Sequence, residues 1–314
     1  MTYKRSKEEV EAALADHDYL GTVGGFAMQH TMVSMYSSST VVRPPDTVIR
    51  GRWFADGDEF VGESMLLNYR SDNNSLGFQL GIGRFFEQDA VLSTVHADLE
   101  EDLSSAVELP KPKKLKTALT TAITARRSGR EFSGQPVSIG DLSTILFHAQ
   151  GNSGELPYGG GGRHGSIKLR NAPSGGGLFP ISIFVQAFNV SGLEPGTYEY
   201  LPYSHTLQPH PAPPGAPDPA STWSSVDFDV NDSGFVLTFV YNMYDNSRKY
   251  GDAGVMFGLV EVGAILQNVH LSRTALALVG TDQGGYDKQL IEKALRLDGH
   301  TRHVVHVSVV GQEE

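Results

Sequence analysis

Apolar positions along this chain change their rhythm near residue 110. From residue 113 onward, runs at helical spacing alternate with short continuous apolar runs. The stretch KKLKTALTTAITARR puts Leu115, Ala118, Leu119, Ala122 and Ile123 on one helical face, and ends on Arg126 and Arg127, where cations favour a helix C-terminus. In SIGDLSTILFHAQG, Ser138 is placed to cap a helix with Asp141 at its third position and Gly151 past its end. ISIFVQAF and GFVLTFVY are short, continuous and β-branched, which predicts strands buried on both faces. A long helix is predicted over 252–272 around FGLVEVGAILQNV. A further helix, DKQLIEKALRL, stops at Asp298 and Gly299, and HVVHVSVVG reads as a closing strand.

Residues 1–105 read differently. A charged amphipathic helix, MTYKRSKEEVEAALADHDYL, opens the chain and lacks the features of a signal peptide. TVVRPPDTVIRGRWF, EFVGESMLLNY and SLGFQLGIGRFF then alternate as short strands do, between clusters of Pro, Gly, Asp and Asn. HADLEEDLSSAVELPKPKKLK swings from acidic to basic across two prolines. That sets a boundary near 105–112, between a β-rich module over 1–110 and a second domain over 111–314. PHPAPPGAPDPA is a proline-rich surface loop.

Composition narrows the chemistry. The chain has 314 residues, enough for a large core, and a net charge of −11, which disfavours nucleic acid as a partner. It has no cysteine, which excludes disulfides, iron–sulfur clusters, thiolate-bound zinc and a thiol nucleophile. The eleven histidines show no HxxxH or HExxH spacing, so no metal site is expected. No apolar run reaches the ~18 residues of a membrane span. The expectation is a soluble cytoplasmic protein with no membrane partner.

Four segments offer chemistry. RRSGR, with Arg126, Arg127, Ser128 and Arg130, can bind an anion through charge-assisted bidentate bonds, or simply complement a helix end. In APSGGGLFP, Pro173 stiffens the chain, Ser174 offers a hydroxyl, and Gly175, Gly176 and Gly177 let the backbone approach a planar ring. It is not a dinucleotide fingerprint, because no strand leads into it as in a βαβ unit and a strand follows it. NSRKYGDAG sets Lys249 beside Tyr250, two potential proton carriers, or an exposed turn before a helix. TDQGGYD adds Gln283, Gly284 and Gly285, again a place for close backbone approach.

Taken in order, RRSGREFSGQPVSIGDLSTILFHAQG, RNAPSGGGLFPISIFV, GLEPGTYEYLPYSHTLQP, RKYGDAGVMFGLVEVGAILQNVHL and ALALVGTDQGGYDKQLIEKALRLDG resemble the nitroreductase superfamily, and within it the SagB/ThcOx-type azoline dehydrogenases. The resemblance covers about 115–311. It implies an α+β fold, with a mainly antiparallel central sheet flanked by helices and an intertwined homodimer. It implies FMN as cofactor: Arg126, Arg127 and Ser128 for the phosphate and ribityl chain, Arg130 near the pyrimidine edge, Pro173 to Gly176 along the isoalloxazine, and Gln283, Gly284 and Gly285 over another side. It implies oxidation of thiazolines and oxazolines of a ribosomal precursor peptide to azoles, with Lys249 and Tyr250 removing the proton and dioxygen taking the electrons. By analogy, the N-terminal module would help hold the peptide or a cyclodehydratase partner. The sequence departs from such relatives where GDAGVMF replaces an Arg-Gly-Tyr-Arg run after the Lys-Tyr pair. Asp282 and Gln283 likewise stand where relatives carry a proline before the last Gly-Gly. Two other readings fit the same segments: an NAD(P)H-dependent nitro, quinone or dehydroamino-acid reductase, and a non-catalytic scaffold of a peptide-modifying complex.

Overall fold

The structure, a computed structural model, describes residues 31–33, 40–42, 65–66, 69, 76–84, 101–158, 165–223 and 229–314. The opening helix expected over 1–20, and most of the strand-like runs between 43 and 64, lie outside the described residues. The chain divides into two compact units, 1–70 and 71–314. In the first, β1 (Thr31–Val33) pairs antiparallel with β2 (Thr40–Val42).

The second unit opens with α1 (Leu76–Arg84), β3 (Val107–Glu108), α2 (Leu119–Ala125), β4 (Val137–Ser138), α3 (Ile139–Gln150), β5 (Asn152–Tyr158) and β6 (Gly165–Arg170). It continues through β7 (Ile181–Ala187), β8 (Val190–Ser191), β9 (Gly196–Leu201), β10 (Thr206–Pro209) and α4 (Pro219–Trp223). The last elements are β11 (Phe235–Asn242), α5 (Met243–Tyr250), α6 (Ala253–Ala275), β12 (Val279–Gln283), α7 (Lys288–Ala294) and β13 (Arg302–Gly311). Seven strands form one sheet in the order β12-β13-β11-β7-β9-β10-β3, with every neighbouring pair antiparallel. Helices flanking this sheet give the expected α+β architecture.

The central strands are buried on both faces, as their unbroken apolar runs require. On β11, Phe235, Leu237, Phe239 and Tyr241 join a core with Leu142, Ile145 and Leu146 of α3 and Val262, Ile265 and Val269 of α6. Val236 and Val240 point the other way, toward Trp223, Ile291 and Leu295. Each fully buried Phe or Leu contributes about 1.5–3 kcal/mol of transfer free energy. Among the described residues α6 is the one helix long and apolar enough, by length and composition, to cross a membrane. Here its apolar side packs into this core.

Three expectations change on contact with the structure. SLGFQLGIGRFF, read as a strand, forms α1: a short alternating run does not exclude a helix, and Gly81 lets this one lie against the backbone of Lys249. The helix expected from residue 113 starts only at Leu119, because Lys113 is drawn onto α3: its N–H donates to Thr144 Oγ1 (2.9 Å) and its Nζ pairs with Asp141 (2.7 Å). A strand, β6, does lead into the glycine segment, but as half of the β5–β6 hairpin rather than a βαβ unit. By contrast, Ser138 caps α3 as expected, accepting from the Asp141 N–H at 3.1 Å.

Candidate functional site

The sheet brings two of the predicted segments together. β7 and β11 are antiparallel neighbours with Ile181 opposite Tyr241, so the chain entering β7 and the chain leaving β11 emerge at the same end. The first is the glycine segment and the second is α5, which carries Lys249 and Tyr250. Asn242 ties them: its backbone N–H (2.8 Å) and its Nδ2 (3.0 Å) both donate to the Pro180 carbonyl. Asn246, buried in α5, accepts from the Tyr241 hydroxyl (2.7 Å) and donates to the Gly254 carbonyl (2.8 Å), fixing α5 against β11 and α6.

Residues 175–177 form a single 3-10 turn, with Gly176 at φ +69, a conformation that favours glycine. A β-carbon there would collide with the Tyr250 hydroxyl and lie 2.8 Å from Lys249 Nζ. Both candidate proton carriers thus reach a stretch of bare backbone. Lys249 Nζ stands 5.0 Å from the Tyr250 ring centroid, and Phe257 of α6 braces that ring edge-on at 5.0 Å while lying under Gly175. Pro173, Gly175 and Gly176 are exposed. Ser174 Oγ accepts from the Phe179 N–H (2.9 Å) and closes the loop.

The arginine segment gathers elsewhere. It follows α2 and runs along β12: the Gly129 N–H donates to the Gly280 carbonyl (3.0 Å), and a β-carbon on Gly129 would strike Val279. Arg127 Nη1 donates to the carbonyls of Thr124 (2.9 Å) and Arg126 (2.7 Å), the helix-end role. Ser128 and Arg130 are exposed, and Arg126 half-buried. Behind them Arg273 of α6 is buried, with Nη2 on the Arg127 carbonyl (3.0 Å) and Nε without a partner. Burial pulls its guanidinium pKa down, Asp282 opposes this, and the Arg126 charge adds to it.

β12 closes this second cluster. Asp282 faces His270 (3.0 Å) and His306 (3.6 Å). Burial pushes its carboxyl up, but the hydrogen bond and charge of His270, with the His306 imidazole close by, more than offset that, and hold it well below the usual carboxylate range. Gln283 is buried, with Nε2 on the Trp223 carbonyl (3.2 Å) and Oε1 unpartnered, whereas Gly284 and Gly285 are exposed. Among the described residues, no group of three His, Asp or Glu side chains is placed to hold a metal.

The two clusters sit against opposite halves of α6. Phe257 and Glu261 meet the glycine loop, while Arg273 meets the arginine segment. At about 1.5 Å per residue, Glu261 and Arg273 are about 18 Å apart along the helix. Sequence reasoning missed Phe257, Glu261, Arg273, Asn242 and Asn246. The visible signals were a lone carboxylate and a lone guanidinium inside the otherwise apolar periodicity of 253–278.

Residues 123–312 match the pattern of the nitroreductase family. The chain belongs to the nitroreductase family. Among its relatives, MJ1384 of Methanocaldococcus jannaschii, named as a nitroreductase, is 29% identical over 191 residues, covering 61% of this chain and 89% of that protein. The microcin B17-processing protein McbC of Escherichia coli is 30% identical over 142 residues, covering 44% of this chain and 52% of McbC, about half its length. By structure, a protein of Ralstonia eutropha JMP134 described as a nitroreductase is similar with a TM-score of 0.54, at 24% identity, over 67% of this chain and 90% of that one, a likeness of fold. The span shared with the nitroreductase family contains all four segments singled out above, from Arg126 to Gly285.

Proposed function

We propose that this nitroreductase-family chain is an FMN-dependent azoline oxidase, which converts thiazolines and oxazolines of a ribosomal precursor peptide to thiazoles and oxazoles. The observation that carries this reading is the approach of Lys249 and Tyr250 to the bare backbone of Gly176. Aromatising an azoline removes a proton and a hydride from adjacent ring atoms, so a base must stand over a surface that admits flat rings. Lys249 and Tyr250 meet the first need, and the glycine loop meets the second. The printed name of McbC, a microcin-processing protein, supports a peptide substrate.

The donor set fits a flavin nucleotide. Arg126, Arg130 and Ser128 offer charge-assisted donors for a phosphate, with the buried and partly unpartnered Arg273 behind them. In the loop from Pro173 to Gly176, Gly175 and Gly176 offer the ring backbone without side chains. Bound FMN would supply the two-electron acceptor and pass the electrons to dioxygen, giving hydrogen peroxide. The phosphate donors and the ring cradle lie about 18 Å apart along one α6, so a homodimer that sets the cradle of one copy beside the arginines of the other would complete the site. Exposed Leu119 and Ile123 on α2, and Leu259 and Val260 on α6, offer the apolar surface for it. A cleft of about 530 Å³ opens beside the loop, lined by Phe179, Glu199, Tyr203, Asp245 and Arg248, and would take the peptide on either side of the reacting ring. A cyclodehydratase that forms the azoline is the partner such chemistry requires, and the cytoplasm is the proposed setting.

The test is an absorbance spectrum of the purified protein with mass spectrometry of any released chromophore, followed by anaerobic mixing with a thiazoline peptide or with NADPH. FMN bands bleached by the peptide and accompanied by an azole product, two mass units lighter, are expected. Bleaching by NADPH alone would shift the reading to a reductase, and a colourless chain that cannot be reconstituted would leave the scaffold reading.

A further inference from the structure

Lys249 and Tyr250 are the last two residues of α5, a helix of only eight residues. A helix so short is marginal by itself, and its ends fray unless something outside holds them. The packing that holds this one runs through glycines. A β-carbon on Gly254 of α6 would stand 2.9 Å from Oδ1 of the buried Asn246 and 3.1 Å from the Ser247 main chain. A β-carbon on Gly81 of α1 would collide with the Lys249 carbonyl oxygen and lie 3.4 Å from the carbonyl carbon. Gly81 is buried, whereas Gly83 is exposed, and a β-carbon there would meet nothing within 4 Å. Glycine inside a helix costs stability, so in the nine-residue α1 its use is at Gly81, where two backbones meet. This helix also precedes the span 123–312 shared with the nitroreductase family, which holds both α5 and the glycine loop.

We propose that α1 is a positioning element for the reacting pair: seated on the Lys249 main chain through Gly81, it fixes the last turn of α5 and sets where Lys249 Nζ and the Tyr250 hydroxyl stand over Gly176. This rests on the reading of Lys249 and Tyr250 as the groups that take the azoline proton. The two tips converge on one point, since a β-carbon on Gly176 would collide with the Tyr250 hydroxyl and lie 2.8 Å from Nζ. Phe257 of α6 fixes the Tyr250 ring, with 5.0 Å between centroids. Gly81 meets the main chain from which the Lys249 side chain extends. A base acts only within reach of its proton, and a misplacement of about 1 Å costs about 10²-fold in rate. The influence of α1 is therefore on the rate of proton removal, and the affinities for flavin and peptide stay as they are. Through this contact, a segment from before the family span takes part in the reaction.

The test compares Gly81→Ala with Gly83→Ala in the full chain loaded with FMN. Both gain the same helix propensity, and only the first drives a methyl into the Lys249 carbonyl. Single-turnover bleaching by a saturating thiazoline peptide should slow about 10²-fold in Gly81→Ala and keep the natural rate in Gly83→Ala. The FMN dissociation constant and the half-saturating peptide concentration should not change in either. Added to Lys249→Ala with Tyr250→Phe, Gly81→Ala should cost nothing more, because the pair it positions is already gone. Equal rates in the two glycine variants would overturn the proposal. So would the full further loss in the Lys249→Ala, Tyr250→Phe background, which is what a general loosening of the fold would give. The second measurement needs neither substrate nor flavin: hydrogen exchange of the 249–251 amides, among them the Gly251 N–H that donates to the Ser247 carbonyl (2.7 Å). It should be about tenfold faster in Gly81→Ala than in Gly83→Ala, the net worth of one hydrogen bond. Should Gly81→Ala fail to fold, exchange in the natural chain decides. Amides that depend on α1 cannot be better protected than those of 77–84, so stronger protection at 249–251 would overturn the proposal. A natural chain that oxidises no thiazoline peptide would overturn the azoline reading. The difference in exchange would then still support α1 as the element that holds the Lys-Tyr pair, and equal exchange would sink that too.

Discussion

A β-carbon on Gly176 would stand 2.8 Å from Lys249 Nζ and inside the Tyr250 hydroxyl. These residues are distant in sequence and meet only because β7 and β11 are antiparallel neighbours. Gly176→Ala therefore faces two penalties. The left-handed φ of +69 costs an L-residue about 1–2 kcal/mol, and the new methyl displaces the ends of both proton carriers. The expected result is an unfolding free energy, from urea titration, lowered by about that amount, with FMN affinity weakened about tenfold or more. Unchanged stability and flavin binding would mean that the loop swings away freely and does not cradle a ring.

The arginines should separate by role. Arg127 is turned back onto the carbonyls of Thr124 and Arg126, so Arg127→Ala should lower stability by less than about 1 kcal/mol, because the bonds are exposed. Arg126→Ala and Arg130→Ala should instead release FMN, since a phosphate loses a charge-assisted partner worth about 1.5–3 kcal/mol, or roughly tenfold or more in affinity. FMN fluorescence after gel filtration reads the second effect, and denaturant midpoints read the first. Full flavin retention in both Arg126→Ala and Arg130→Ala would remove this segment from the phosphate site.

Lys249→Ala combined with Tyr250→Phe should keep the protein yellow and slow azole formation by about 10²–10⁴, the range for loss of general-base catalysis. Single-turnover bleaching by a thiazoline peptide measures it without interference from product release. A double variant that bleaches at the natural rate would show that the base lies elsewhere, whatever its closeness to Gly176.

The homodimer makes a separate prediction. Val260 is 71% exposed on α6 and Leu119 is 65% exposed on α2, although both belong to apolar faces. If a second copy covers them, Val260→Glu should yield monomers by light scattering, and FMN should be lost with the dimer because each copy holds only half of the donors. Monomers that still bind FMN as tightly would place the whole site within one chain.

Much of this was legible before any coordinates. Strands β7, β11 and β13, the cap at Ser138 and the long α6 follow from local patterning, which short-range physics decides. The glycine segment and the Lys-Tyr pair were each visible, but not their meeting, because strand order is a long-range property of the sheet. Glu261 and Arg273 escaped for a related reason. A single charge within an apolar helical repeat reads as an interruption until the tertiary surroundings are known: burial against the core for Glu261, and the Arg127 carbonyl for Arg273. α1 was misread because Leu76, Phe78, Leu80 and Ile82 alternate at period two, while packing on α5 favours a helix.

The pH dependence of stability should reflect two acids, the half-buried Asp282 and the buried Glu261, with opposite signs. Asp282 is held well below the usual range, where the hydrogen bond and charge of His270, with His306 close by, outweigh its partial burial. Its contribution is present above the unfolded pKa near 4 and fades as pH falls below it. Glu261 runs the other way. Burial raises it from 4.5 to about 7, so the native state holds its proton longer than the unfolded chain does. Its contribution is full below about 4.5 and is lost as pH rises through about 7. From pH 5 to pH 8 that loss is about 2–3 kcal/mol. Glu261→Gln has no proton to lose, so the stability difference between natural chain and variant should change by that amount between the two pH values, with the variant gaining at pH 8. Urea unfolding at pH 5 and pH 8 measures it. A difference that stays constant would mean that Glu261 ionises in the native state as it does in the unfolded chain, its burial notwithstanding.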